Sequence, residues 1–191
     1  NSMLHLPAIA HEAGVDLNLE KANEIKATLA KAGLRVKLDD SEKSPGWKFS
    51  EQEMRGIPVR IELGPKDIEA GVAVIVRRDT REKITANIDE LAEKVAEVLE
   101  TEQHDMLERA RTHRENHTYD AVTKEEFKQI ADEKPGFIRA MWCGCQECED
   151  AIKEDFGVTS RCIPFKQVKL SDTCVYCGKP ATKMVYWGKA Y

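Results

Sequence analysis

Apolar residues along the first half of the chain change repeatedly between helical and extended spacing. The short run at residues 4–9 predicts a buried strand. Ala22, Ile25 and Leu29 then recur at i, i+3 and i+7, which predicts a helix over 19–32 with Asn18 as its N-cap and Gly33 as its stop. Residues 34–38 alternate apolar and polar, a half-buried strand that closes at the Asp39-Asp40 turn. Strand, helix, strand in that order implies a parallel pair joined by a crossover helix. Ser44-Pro45-Gly46 reads as a turn and 47–55 as a helix ended by Gly56. In the strand at 57–63, Ile57, Val59, Ile61 and Leu63 share one face, and Pro58, Arg60 and Glu62 share the other. Gly64-Pro65 breaks it. Val72 to Val76 is continuously apolar, so it reads as a buried central strand. A charged hairpin at 77–85 leads into a long helix over 88–114, with a stripe of Leu91, Val95, Leu99, Met106 and Leu107.

The second half opens with Thr123-Lys124-Glu125-Glu126, a capping box ahead of Phe127 and Ile130. A strand at 136–142, a helix at 147–156, an extended segment at 158–165 and a short strand at 184–186 follow. The pattern predicts an α/β fold: a mixed sheet flanked by helices over 1–115, followed by a smaller α+β domain over 116–191.

Composition narrows the class. With 191 residues, 41% hydrophobic and 33% charged, the chain can bury a core. Its net charge of −5 excludes a protein coated in positive charge, so any nucleic-acid contact must come from a local patch. The charge is uneven: residues 51–150 hold 24 acids and 15 bases, whereas 151–191 hold 3 acids and 7 bases. No stretch approaches the roughly 18 apolar residues of a membrane span, and the N-terminal run is too short for a secretory signal. These features predict a cytoplasmic protein.

All six cysteines lie between Cys143 and Cys177. Clustering of this kind in a reducing compartment favours a metal site over disulfides. Cys143-Gly-Cys145-x-x-Cys148 and Cys174-x-x-Cys177 form two knuckles suited to a tetrahedral zinc ion, with five thiols competing for four positions. Four thiolates leave no open position for water, so such a zinc would be structural. Cys162, inside an apolar run, reads as core. His113 and His117 stand four apart, but the intervening residues do not make the metalloprotease order, and solvated histidines explain them. There is no phosphate-binding glycine loop and no nucleophile elbow.

A second constellation is Trp47-Lys48-Phe49 with Glu53, Arg60, Lys66 and Asp67. Phe49 and Glu53 share a helix face, and Arg60 projects from the polar face of the next strand. An aromatic ring can stack a splayed base, a carboxylate can accept from guanine's N–H groups, and an arginine can donate to its O6. The plain alternative places the rings in the core and the charges in solvent.

These segments resemble a known family. Leu38-Asp39-Asp40, the run from Ser44 to Phe49, the run from Gly56 to Glu62, Gly64-Pro65-Lys66-Asp67 and Arg77-Arg78-Asp79-Thr80 look like the anticodon-binding domain of prolyl-tRNA synthetase, a class II enzyme. The tail, with Cys162-Ile163-Pro164, Cys174, Cys177, Gly178-Lys179-Pro180 and Lys189-Ala190-Tyr191, resembles the zinc-binding extension of the archaeal/eukaryotic-type enzymes, which some bacteria carry. The resemblance implies a fragment whose ATP-using catalytic domain lies elsewhere, a proline tRNA partner read at its anticodon, and a homodimeric full-length enzyme. It implies Phe49, Glu53, Arg60, Lys66, Asp67 and Lys83 as RNA-binding residues, since proline anticodons share two guanines. The family spacing implies Cys143, Cys148, Cys174 and Cys177 as the zinc ligands, leaving Cys145 spare, and gives Tyr191 a role near the distant catalytic site. Two other functions fit the cysteines alone: a free-standing zinc interaction module, and a dithiol oxidoreductase.

Overall fold

The computed structural model describes residues 3–7 and 15–189. The chain forms two units, Asn1–Glu108 and Arg109–Tyr191. In the first, β1 (Met3–Pro7), α1 (Val15–Lys31), β2 (Arg35–Asp39), α2 (Pro45–Met54), β3 (Val59–Glu62), α3 (Pro65–Glu69), β4 (Val72–Arg77) and β5 (Lys83–Asn87) precede the long helix α4 (Leu91–Asn116). The sheet order is β2-β1-β3-β4-β5. β1 runs parallel to β2 and β3, as the strand–helix–strand pattern requires, and β3, β4 and β5 form an antiparallel meander.

Two-residue alternation sorts the meander into faces. Val59, Ile61, Leu63, Ala73 and Ile75 point into a core closed by Ala22, Ile25 and Leu29 of α1 and by Leu91, Val95 and Val98 of α4. The opposite face carries Arg60 and Glu62, and α2 lies over it. α2 is seated by Lys48, a buried amine whose Nζ donates to the backbone oxygen of Asp39 at the end of β2 (3.1 Å).

Local chemistry shifts several predicted boundaries. α1 begins at Val15, so Asn18 lies in its first turn instead of capping it; polar residues are well tolerated there, where backbone N–H groups are unsatisfied. Ser44-Pro45 is a helix start, not a free-standing turn: Ser44 Oγ accepts from Trp47 N and Pro45 takes the first helical position. The Gly64-Pro65 break opens α3, a single turn capped by Asp67. Met106 and Leu107 on the expected α4 stripe are exposed, because no apolar residue of α4 beyond Leu99 packs on the core.

The second unit contains β6 (Thr118–Ala121), α5 (Lys124–Glu133), β7 (Phe137–Trp142), α6 (Gln146–Phe156), β8 (Val158–Cys162) and β9 (Lys183–Lys189), with sheet order β6-β7-β9-β8. The capping box forms, with Thr123 Oγ1 accepting from Glu126 N at 3.1 Å. Phe127, Phe156, Trp142 and Trp187 meet edge-on or tilted in the core. Cys162 is exposed rather than core; it ends an edge strand just past a register shift against β9, where alternation fails. Tyr191 lies outside the described residues.

Gly136 joins α5 to β7 at φ 126°, and a Cβ there would stand 2.1 Å from the backbone oxygen of His117. Gly136→Ala is therefore expected to destabilise the second unit by about 2–3 kcal/mol, read as an earlier urea midpoint; an unchanged midpoint would show that the loop gives way freely.

Candidate nucleic-acid interface and metal centre

Arg60 sits on β3, opposite Val76 of β4, with its side chain turned toward α2. Its Nη1 donates to Glu53 Oε1 at 2.7 Å, its Nε donates to Glu62 Oε1 at 2.9 Å, and its Cζ lies 3.9 Å from the centre of the Phe49 ring. Phe49, Glu53 and Arg60 therefore form one cluster, although only the first two share an element. Phe49 is half-buried and one ring face is covered by the guanidinium, while Trp47 is 48% exposed beneath Lys43. The rings are not in the core.

Residues around the cluster extend it. Arg81 pairs with Glu53 from the β4–β5 turn, where it holds φ 64°, a left-handed conformation rare for arginine. Both partners approach Glu53 at Oε1. Burial works against ionisation of Glu53, but hydrogen bonds from Arg60 and Arg81 outweigh it and hold its pKa below the ordinary value. Lys83 Nζ donates to Glu62 Oε2 at 3.1 Å, joining the cluster from β5. Lys66 and Asp67 stand apart on α3. Asp67 Oδ2 accepts from Gly64 N at 2.8 Å, capping its own helix, and among the described residues no ion pair ties either residue to Arg60. Sequence reasoning missed Arg81, whose place in a turn carries no periodic signal.

The sulfur cluster is built by two loops. Cys143 follows β7, and Cys148 lies in the first turn of α6. Cys174 and Cys177 belong to a tight loop closed by Cys174 N to Lys179 O (2.8 Å) and Gly178 N to Cys174 O (3.1 Å). Val175 N to Met141 O and Thr182 N to Trp142 O, both 2.9 Å, tie that loop to the end of β7. The four Sγ atoms all lie within 4.8 Å of one another, so these cysteines could hold a metal ion.

The donor set fits such an ion. A tetrahedron of sulfurs at about 2.3 Å from zinc has edges near 3.8 Å, and Cys143 and Cys177 are 3.8 Å apart. Cys145 Sγ is only 3.2 Å from Cys143 Sγ, inside that edge length, so the two crowd one corner. Burial pushes the Cys143 thiol up to about 11 and raises Cys148 as well. A divalent cation would supply the positive charge that clustered thiolates need.

Comparison with known proteins follows the same division. Residues 9–98 match the family described as Anticodon binding domain, and residues 124–191 match Prolyl-tRNA synthetase, C-terminal. Proteins named proline–tRNA ligase are similar over 186 residues, 97% of this chain: 67% identical in Lachnospira eligens, 59% in Lachnoclostridium phytofermentans and 57% in Clostridium novyi. The chain spans 38% of the length of each of these relatives. No described helix is long and apolar enough to cross a membrane.

Because Glu53 has a depressed pKa when folded, its ion pairs stabilise the chain above the unfolded value near 4.5 and are lost as pH falls through the lower folded value. Glu53→Gln should remove this part of the acid dependence. Urea unfolding of parent and variant at a series of acid pH values tests it, and parallel acid profiles would contradict the linkage.

Proposed function

We propose that this chain, an anticodon-binding fragment homologous to the C-terminal regions of proline–tRNA ligases, recognises proline tRNA at the two guanines its anticodons share. The carrying observation is the joined cluster of Phe49, Glu53 and Arg60 on the polar face of the sheet. A guanine presents two N–H donors on one edge and acceptors on another. Glu53 accepts from the donor edge, and Arg60 donates to an acceptor edge. The Phe49 ring, already backed by a guanidinium, offers its π-face to a splayed base. Lys83 adds positive charge from β5, and Lys66 and Asp67 serve a second base from α3.

In the second unit Cys143, Cys148, Cys174 and Cys177 would hold a structural zinc ion, whose chemistry is to clamp loop to strand and nothing more. A zinc-bearing extension in a chain with bacterial relatives supports the archaeal/eukaryotic-type branch of the enzyme. The full-length protein would work in the cytoplasm as a homodimer, joining proline to tRNA with ATP on parts outside this chain.

Binding of this chain to proline tRNA should weaken when either shared guanine is replaced. Arg60→Ala should cost about 1–3 kcal/mol of binding, most of it lost on the substituted tRNA. Equal affinity for an unrelated tRNA would refute the reading and favour a protein-docking module. For the metal, elemental analysis should find one zinc per chain. Thiol titration should count two reactive cysteines of the six, Cys145 and Cys162, until a chelator frees the rest. Rapid reaction of all six without chelator, or cycling to a disulfide, would favour the oxidoreductase instead.

A further inference from the structure

The cations beside Arg60 differ in how they are compensated. Arg60 is held by Glu53 and Glu62, Arg81 by Glu53, and Lys83 by Glu62. Arg78 joins the same face. Arg60 is opposite Val76 in the β3–β4 register, and Arg78 is the next position of that parity, its backbone N donating to Pro58 O at 2.8 Å. With Phe49, Glu53, Pro58 and Arg60 it lines a hollow of about 10 Å³, the size that holds one water-sized group. Its Nε is shielded from solvent and has no hydrogen-bond partner. Among the described residues, no ion pair reaches its guanidinium.

The missing partner has a definable chemistry. A guanidinium carries only donors, so an acceptor is required. The ion-paired cluster joins Arg60, Arg81 and Lys83 to two carboxylates, Glu53 and Glu62, and Arg78 lies beside it as a further cation. An anion therefore suits the site better than a neutral base edge, and the hollow has room for one oxygen atom. A phosphate oxygen satisfies both, and guanidinium–phosphate pairs are among the strongest charge-assisted contacts.

We infer that Arg78 binds a backbone phosphate of the anticodon loop and so sets the register in which the neighbouring residues meet the bases. This rests on the anticodon reading above but assigns Arg78 positioning, not sequence choice.

The test measures tRNA affinity of this chain across a potassium chloride series, for the parent, Arg78→Ala and Arg78→Lys. Each is titrated with proline tRNA and with a version lacking both anticodon guanines. Arg78→Ala should weaken binding by about tenfold on both RNAs and reduce the salt slope by about 0.7–1, while Arg78→Lys keeps the slope. Should the alanine variant fail to fold, Arg78→Gln carries the same expectation. Parent-like affinity and slope in the neutral variant would overturn the inference, as would a loss confined to the native anticodon, which would make Arg78 a base reader. A parent that binds both RNAs alike would refute the anticodon reading alone; the Arg78 slope would still decide this one.

Discussion

The position of one guanidinium governs the first unit's candidate site. Arg60 lies over the Phe49 ring, 3.9 Å from its centre, and donates to Glu53 and Glu62. The ring contact and the two carboxylates hold it, so the side chain loses most of its freedom before any ligand arrives. Charge pairs that are mostly shielded from water gain little net stability, because desolvation offsets attraction. On the proposed reading their benefit is geometric: donors and acceptors are held in place before a base arrives, and less ordering is left for the binding step. The arrangement depends on α2 staying over the sheet. That makes the buried Lys48 amine, bonded to Asp39 O across the edge of the fold, part of the site although it touches none of it.

The sulfur cluster solves a related problem with different chemistry. A small unit with a modest core gains from a cross-link between distant segments. Cys143 and Cys148 flank the start of α6, and Cys174 and Cys177 lie on a loop hydrogen-bonded to the end of β7. The backbone bonds bring the loop to the strand, and the sulfurs need only a cation to lock it. At 3.2 Å apart, Cys143 and Cys145 cannot occupy two vertices of one regular tetrahedron, so one of the five thiols is left over.

Much of this was legible in the sequence where a periodic signal ran long enough. The alternation from Val59 to Leu63 correctly sorted core from polar face, and with it the side on which Arg60 and Glu62 stand. The capping box at Thr123 specified its helix directly. Short elements were not legible: α3 is one turn and β6 is four residues, too brief to show a period. Asn18 misled because capping residues are equally at home in a first turn. Cys162 misled because apolar neighbours say nothing about an edge strand's last residue. Contacts across the fold leave no spacing at all. That Arg81 would share Glu53 with Arg60 depends on a left-handed turn residue, and that Arg78 would line one hollow with Phe49 depends on register.

The overall charge then becomes informative. A chain of net −5 is repelled on average by a polyanion. The first unit separates its charges by face: Glu93, Glu97 and Glu100 are exposed on α4, which packs on the core side of the sheet, whereas Arg60, Arg78, Arg81 and Lys83 gather on the side covered by α2. RNA approaching α4 would meet like charge, and on the other side it would meet the cation cluster of Arg60, Arg78, Arg81 and Lys83. Repulsion over most wrong orientations raises selectivity without strengthening the right one. An acidic protein with one compensated arginine and one uncompensated arginine side by side is thus better arranged to discriminate than a uniformly basic one. On the proposed reading the compensated group would be held still to read an edge, and the uncompensated group would supply the attraction that brings the edge to it.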